Sequence, residues 1–245
     1  MTATTQQMNV LITGASRGIG RALVAEYAGR GARVLAVART PANLIGEPRT
    51  NVGWIAADLA RPAGWDHVIR AVRESGMTLD LLVNNAGIQM ALDLRSAPDD
   101  AIRASIETEL ALNLAAPIAL CHGLMPYLRR PGGTIVNVTS LVSRQPKPSA
   151  PVYSASKAGL ASFTRSLRRQ LAADGVRVVE AVPPLVATDM TDGRGSNKLT
   201  PEAMADAIVA GVARGKTTIA PGLSSKVLVL NRLLPGFTAD LLARA

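Results

Sequence analysis

The stretch Met8-Asn9-Val10-Leu11-Ile12-Thr13-Gly14-Ala15-Ser16-Arg17-Gly18-Ile19-Gly20 decides the fold of this chain. Its first half is a short apolar run typical of a buried strand, and its second half is a glycine-rich turn. Ile19, Leu23, Val24 and Tyr27 then recur at helical spacing, so the turn opens a helix. Glycines let the backbone approach a phosphate, and the N–H groups of a helix N-terminus point at it. The stretch therefore favours a dinucleotide site over a plain tight turn before a helix.

The composition indicates one large α/β domain. The chain has 245 residues, of which 48% are hydrophobic and only 3% are aromatic. An aliphatic core of this kind is typical of a parallel sheet covered by helices. Strand-like and helix-like segments alternate, and no linker or repeat divides them. We therefore predict a single doubly wound Rossmann domain over 1–245, with a seven-stranded, mostly parallel sheet and helices on both faces. The strands are expected at 8–13, 33–39, 52–57, 79–84, 134–139, 176–182 and 217–220.

The net charge of +9 raises the question of an acidic partner. The arginines are spread along the chain, which favours a solvated basic surface over a nucleic-acid site. Cys121 is the only cysteine, so an intrachain disulfide is excluded and a reducing compartment is favoured. Residues 1–7 do not resemble a signal peptide, and no uninterrupted apolar run is long enough to cross a bilayer. We therefore expect a cytoplasmic protein.

Arg39, at the end of the second predicted strand, bears on the choice of cofactor. A carboxylate at this place hydrogen-bonds the 2′-hydroxyl of an adenine ribose, whereas an arginine suits a 2′-phosphate. No acid occupies the place here, and Arg17 lies inside the glycine turn. Two converging cations favour NADP over NAD. The alternative is that Arg39 is only a solvent-exposed residue at a strand end.

Two further strand ends and one loop carry candidate contacts to the cofactor. Asp58-Leu59 follows the third strand, where Asp58 either accepts a hydrogen bond from the adenine amine or caps the helix that begins near Pro62. Asn85-Ala86-Gly87 follows the fourth strand and either lets a cofactor pass close by or forms a plain turn. The segment 188–200, from Thr188 onward, is polar and contains glycine, so we predict a mobile lid over the cofactor.

The stretch Tyr153-Ser154-Ala155-Ser156-Lys157 places a phenol and an ammonium group one turn apart on a predicted helix. The ammonium group favours the phenolate and is expected to lower the pKa of Tyr153, which suits reversible ketone–alcohol chemistry. Ser140 ends the fifth strand, and the proline-rich loop 143–151 is long enough to bring it beside Tyr153.

Asn113 lies in an apolar helical pattern from about 99 to 130 that is interrupted at Pro117 and Pro126. A buried amide must be hydrogen-bonded, so Asn113 holds a water or a backbone group near the site, or caps a kink. Cys121, in the same pattern, is interpreted as a small core residue. With only two histidines in unrelated contexts, a histidine-based metal site is not expected.

These pieces together resemble the short-chain dehydrogenase/reductase family, in its compact single-domain branch. The matching residues occur in the family's order and near its spacing. They are Thr13 to Gly20, Asp58-Leu59, Asn84 to Gly87, Asn113, Ser140, Tyr153, Lys157 and Thr188. The resemblance implies that Tyr153 is the general acid–base and that Lys157 lowers its pKa and binds the nicotinamide ribose. It also implies that Ser140 hydrogen-bonds the substrate oxygen and that Asn113 holds a water that relays protons.

Two departures from the family pattern matter. Most members have Pro-Gly after the sixth strand, whereas this chain has Pro183-Pro184, which constrains the backbone and leaves the amide of Val186 to reach the carboxamide. With Leu185 and Val186, this run is similar to the sub-branch typified by the oxidoreductase encoded with lipoteichoic-acid D-alanylation genes. The usual acidic-Gly-Gly ending is also missing, so a tetramer is in doubt. A homodimer through the helices around Asn113 and Lys157 is expected.

The sequence thus predicts an NADPH-dependent carbonyl reductase, or the reverse alcohol dehydrogenase, that acts on a small apolar ketone or alcohol. The apolar pocket residues are expected to be Leu141, Val142, Leu185 and Met190. Two rivals remain open. One is a regulator that binds NADP without catalysis, and the other is a membrane-peripheral reductase of lipid or acyl ketones that uses the apolar, basic tail 227–245.

Overall fold

Seven short strands form at the predicted places. The structure, a computed structural model, describes residues 7–40, 50–95 and 99–233. The strands are β1 (Asn9–Thr13), β2 (Arg33–Ala38), β3 (Val52–Ala56), β4 (Leu81–Asn84), β5 (Thr134–Val138), β6 (Arg177–Ala181) and β7 (Thr218–Ile219). They make one sheet of order β3-β2-β1-β4-β5-β6-β7 in which each neighbouring pair is parallel. The order reverses direction between β1 and β4, where α/β sheets bind their ligands.

Helices connect the strands and cover both faces of the sheet. They are α1 (Gly18–Gly29), α2 (Pro62–Glu74), α3 (Asp100–Leu110), α4 (Ala116–Leu124), α5 (Pro151–Gln170), α6 (Pro201–Ala213) and α7 (Leu223–Leu233). Helix α1 packs on α6, and α2 packs on α4. The predicted doubly wound α/β fold is confirmed, and the sheet is parallel throughout the described residues.

Alternating residues of the central strands separate two apolar cores. In β1, Val10 and Ile12 pack in the core under α1 and α6, whereas Leu11 belongs to the core under α2 and α4. Every residue of β4 and β5 is buried. A parallel sheet buried on both faces needs this nearly continuous apolar pattern, which explains why the strands could be found from the sequence.

The predicted long helix before β5 is interrupted at a π-helical turn, Ala111–Ala115. The N–H of Ala116 bonds to the carbonyl of Ala111, one residue further back than in an α-helix. Pro117 has no N–H for the carbonyl of Asn113, so the regular pattern cannot continue through this point. A wide turn of this kind is frequent at functional sites, and here it contains Asn113.

The C-terminal part of the described chain contains a helix that the sequence did not predict, α7. Val227 is buried against the domain, whereas Leu223, Val229 and Leu233 are exposed. The rest of the predicted tail, 234–245, lies outside the described residues. The helical run Asp100–Tyr127 is long and apolar enough to cross a membrane, but the core helix of a globular protein meets the same criteria.

We predict that Leu120→Ala destabilises the fold by about 2–5 kcal/mol, because Leu120 is 1% exposed in the core under α4 and its truncation leaves a cavity. The control is Ile118→Ala on the same helix, since Ile118 is 37% exposed and should change stability by under about 1 kcal/mol. Chemical denaturation of both variants measures the difference. Equal losses would contradict the assignment of α4 to the core.

Candidate active site

A cavity of about 1020 Å³ opens at the carboxyl ends of the strands. Most of the residues that the sequence singled out line it. These are Gly14, Ser16, Arg17, Gly18, Ile19, Arg39, Asp58, Leu59, Asn85, Ala86, Gly87, Ser140, Tyr153, Lys157, Pro183, Val186 and Thr188. Two others, Gly20 and Asn113, lie buried behind the wall. The predicted apolar residues Leu141, Val142, Leu185 and Met190 also line the cavity.

The glycine turn between β1 and α1 is held by close backbone contacts. A Cβ at Gly20 would lie 2.1 Å from the carbonyl oxygen of Gly14, and Gly14 itself has a φ of +65°. Only glycine fits both positions without strain. Thr13 Oγ1 accepts the N–H groups of Asn85 and Ala86 at 3.0 Å each, and Asn85 Nδ2 donates to the Thr13 carbonyl at 2.9 Å. The Asn85 side chain therefore joins the ends of β1 and β4.

Both cations predicted to choose the cofactor line the cavity near the ends of β1 and β2. Arg17 forms an ion pair with Asp189 at 2.9 Å, and the two side chains are 61% and 72% exposed. An ion pair so open to solvent contributes little energy and can exchange partners readily. Arg39 is exposed at the end of β2. Asp58 Oδ1 accepts the N–H of Ala60 at 3.1 Å, so its carboxylate fixes the turn before α2 and does not cap the helix.

Tyr153 and Lys157 lie one turn apart at the start of α5 and face the cavity. Lys157 Nζ is 5.8 Å from the centre of the Tyr153 ring and donates to the carbonyl of Val138 at 2.9 Å. The Tyr153 phenol is hydrogen-bonded to the side chain of Ser140. The proline-rich loop thus brings the Ser140 hydroxyl beside the first turn of α5, as its length predicted.

The expected lowering of the phenol pKa is not found, because burial outweighs the neighbouring charges. Burial raises the pKa of Tyr153 to about 12, against the opposing effects of the Ser140 hydrogen bond and the charge of Arg194. Burial also lowers the pKa of Lys157 to about 8, which the charge of Glu109 opposes. The protein groups alone therefore keep the Tyr153 phenol protonated near neutral pH.

Asn113 is fully buried in the π-helical turn, and its amide is hydrogen-bonded. Its Oδ1 accepts the N–H of Ile88 at 2.9 Å, and its Nδ2 donates to the Ile88 carbonyl at 2.8 Å and to Ser156 Oγ at 3.2 Å. Of the alternatives raised by the sequence, the structure shows the backbone contact. A Cβ on Gly87 would lie 3.1 Å from Asn113 Oδ1 and 3.4 Å from Lys157 Nζ, so glycine leaves open the space between these groups.

Glu109 is a buried carboxyl that the sequence analysis did not single out. It lies one turn before Asn113 on α3, is fully buried, and accepts the N–H of Met90 at 3.1 Å through Oε1. Its Oε2 has no hydrogen-bond partner among the residues that the structure describes. Burial raises the pKa of Glu109, whereas the Met90 hydrogen bond and the charge of Lys157 lower it. The sequence pattern that could have indicated Glu109 is an acidic residue four positions before Asn113, within an apolar helical pattern.

A buried ion pair supports the segment that follows Ser140. Glu180, 2% exposed on β6, accepts two hydrogen bonds from Arg144 Nη2 at 2.9 and 2.8 Å and one from Thr139 Oγ1 at 3.0 Å. Removing one partner of such a pair leaves an uncompensated buried charge. The pair therefore ties the turn after Ser140 to the neighbouring strand.

The segment predicted as a lid lines the cavity, and backbone hydrogen bonds join its two ends. The N–H of Leu199 donates to the Leu185 carbonyl at 2.9 Å, and the N–H of Ala187 donates to the Leu199 carbonyl at 2.8 Å. Arg194, near the middle of the segment, donates to Gln89 Oε1 at 2.8 Å across the cavity. Neither side chain was predicted to belong to the site.

Metal-binding and reactive-thiol chemistry find no support among the residues that the structure describes. In those ranges there is no group of three or more histidine, cysteine, aspartate and glutamate side chains that could hold a metal ion. Cys121 is 2% exposed, and burial raises the pKa of its thiol to about 12. The interpretation of Cys121 as a core residue is confirmed.

Comparison with known proteins agrees with this geometry. The family model described as short chain dehydrogenase matches residues 8–199. The chain is 33% identical over 196 residues to the 3-oxoacyl-(acyl-carrier-protein) reductase FabG of Vibrio cholerae, covering 78% of each chain. It is 35% identical over 191 residues to carbonyl reductase family member 4 of Danio rerio, covering 75% of this chain and 77% of that protein.

Solved structures show the same fold. A short chain dehydrogenase from Burkholderia cenocepacia in complex with NADP superposes with a TM-score of 0.81 at 26% identity, covering 96% of this chain and 97% of that one. A short-chain dehydrogenase from Sphingobium yanoikuyae in complex with NADPH gives a TM-score of 0.78 at 27% identity, covering 95% and 96%. The resemblance to one sub-branch stays a prediction. On the match over 8–199 and the extent of these relatives, the chain belongs to the short-chain dehydrogenase family and is an oxidoreductase.

Proposed function

We propose that the protein is an NADPH-dependent carbonyl reductase in which Tyr153 is the general acid–base. The observation that carries this proposal is the convergence of Ser140, Tyr153 and Lys157 on the cavity that the glycine turn also lines. A regulator without catalysis has no need for a hydroxyl, a phenol and an ammonium group arranged around one point. The names of two relatives, carbonyl reductase family member 4 and 3-oxoacyl-(acyl-carrier-protein) reductase, support a reductase assignment.

The cofactor site fits a nicotinamide dinucleotide. The N-terminus of α1 and the close turn, in which Gly14 and Gly20 leave no room for a Cβ, form the cradle. Arg17 and Arg39 supply the charge that a 2′-phosphate requires. The NADP and NADPH bound by the two solved relatives support the choice of NADP for this chain. When bound, the cofactor supplies the hydride for the carbonyl carbon.

The chain's own residues position the ketone and manage its proton. Ser140 and Tyr153 donate hydrogen bonds to the carbonyl oxygen, and Tyr153 delivers its proton to that oxygen as the alcohol forms. Lys157 places a positive charge beside the phenolate that is left, which stabilises it until a proton returns. Asn113 fixes the loop at Ile88, and we infer that the space beside Gly87 admits the water that carries the proton back.

We propose that the substrate is a small ketone or alcohol held between Leu141, Val142, Leu185 and Met190. The protein is proposed to be cytoplasmic and homodimeric.

A reductase of acyl-linked ketones is the second candidate function, because several relatives carry the name 3-oxoacyl reductase. Comparing a simple ketone with a 3-oxoacyl thioester in the same NADPH assay separates the two.

We expect Tyr153→Phe to bind NADPH as the wild type does but to lose turnover by about 10²-fold or more, because a general acid typically contributes 10²–10⁴-fold. NADPH fluorescence measures binding, and NADPH oxidation with a panel of ketones measures turnover. Appreciable residual reduction by this variant would remove Tyr153 from its role.

The raised pKa of Tyr153 and the lowered pKa of Lys157 predict opposite pH profiles for ketone reduction and alcohol oxidation. Reduction needs the Tyr153 phenol protonated, and with a pKa of about 12 it is protonated throughout the assay range. Reduction should therefore be nearly flat below pH 8 and fall above it, where Lys157, with a pKa of about 8, loses its charge. Alcohol oxidation needs the phenolate, so its kcat should rise with pH. Reduction that increases steadily above pH 9 would contradict this assignment.

Arg39→Asp should shift the ratio of kcat/KM for NADPH over NADH toward NADH by about tenfold or more, since a hydrogen bond to a charged group contributes about 1.5–3 kcal/mol. The matched control is Arg33→Asp, at the opposite end of the same strand and also exposed. The control should leave the ratio unchanged. An unchanged ratio in Arg39→Asp would show that Arg39 does not touch the phosphate.

A further inference from the structure

The acidic residues that line the cavity lie toward one of its ends. The lining carboxylates in the described ranges are Asp58 and Asp189, both placed near the glycine turn and the end of β3. Asp189 is already paired with Arg17. At that end Arg17 is therefore matched by an acid, and the second acid, Asp58, forms an ion pair with Arg61 at 3.7 Å.

The other end, around Ser140 and Tyr153, includes Arg194, whose charge acts on the Tyr153 phenol, and the further lining residues Lys147 and Lys198 are also cations. We call it the substrate end. The acid Glu109 lies behind the wall, where its charge acts on Lys157. An uncompensated positive field in a cleft attracts an anionic ligand.

Arg194 is the best placed of these cations to contact a substrate. It is half-buried, its charge reaches the Tyr153 phenol, and within the described chain it forms no ion pair. Its hydrogen bond goes to the neutral amide oxygen of Gln89 at 2.8 Å. A guanidinium group is a planar fork of donors that matches a carboxylate, so a neutral partner leaves most of that capacity unused.

Gln89 is itself held rigidly, which makes this a built site. Its neighbour Ile88 is hydrogen-bonded through both N–H and carbonyl to Asn113, and its other neighbour Met90 donates to Glu109. The two partners lie one turn apart on the helical run before β5. Gln89, which accepts the hydrogen bond from Arg194, is therefore held in place by buried groups on both sides. The Arg194 guanidinium group consequently has a defined position in the cavity.

We propose that Arg194 binds a carboxylate carried by the substrate, so that the substrate is a keto acid whose apolar chain lies between the ketone and the acid. The inference rests on the proposed function, because it names the substrate class of the same site. It departs from the expectation of a wholly apolar ketone. The apolar chain of the substrate would lie against Leu141, Val142, Leu185 and Met190, and Arg194 would bind the carboxylate at the end of that chain.

The test compares 4-oxopentanoate, 5-oxohexanoate and 6-oxoheptanoate with their methyl esters, which keep the ketone and remove the charge. Binding to the NADPH complex is measured by calorimetry, and turnover is measured separately by NADPH oxidation. In the wild type we expect at least one acid to bind about 10–100-fold more tightly than its ester, as a charge-assisted hydrogen-bond pair provides. Arg194→Gln should abolish that preference, and Arg194→Lys should retain part of it. Arg214→Gln, at the exposed end of α6, is the control and should leave it intact.

Equal binding of acids and esters by the wild type would overturn the inference, and so would a preference for acids that survives in Arg194→Gln. The proposed function fails separately. If acids bind selectively but neither acids nor esters are reduced, the carboxylate site stands and the reductase assignment falls. If the esters bind as tightly as the acids and are reduced as fast, the reductase stands and the carboxylate site falls.

Discussion

The hydrogen bond from Lys157 Nζ to the Val138 carbonyl is the contact on which the active site depends. It joins α5, which carries Tyr153, to the last residue of β5, just before Ser140. An ammonium group 4% exposed would be costly without a partner, so this contact both satisfies the charge and fixes the helix against the strand. The position of α5 against β5 in turn sets the distance between the Tyr153 phenol and the Ser140 hydroxyl.

Most of the fold could be predicted because the strands of a parallel sheet buried on both faces form nearly continuous apolar runs in the sequence. The apolar runs before Gly14, before Asn85 and before Ser140 are strands whose side chains are buried on both sides. The glycine turn was equally readable, since a Cβ at Gly20 would collide with the backbone of Gly14. Such local steric requirements need no knowledge of the distant chain.

The rest depends on tertiary contacts that no local pattern records. The pKa of Tyr153 was misjudged because the spacing to Lys157 is visible in the sequence, whereas the burial that dominates it is not. The π-helical turn was seen only as an interruption near Pro117, and α7 was missed. Glu109 and Arg194 act on the site from 44 residues before and 41 residues after Tyr153, as their numbers in the chain give.

The paired base of the segment from Leu185 to Leu199 has a consequence for substrate capture. Because its two ends are already joined by backbone hydrogen bonds, the segment forms a loop that is closed at its base. If the segment closes over a ligand, only the residues between its joined ends have conformational freedom to lose, so the entropic penalty is smaller than for a loop that is free at both ends. Selectivity carried by this segment would then not require any loosening of the domain that supports it.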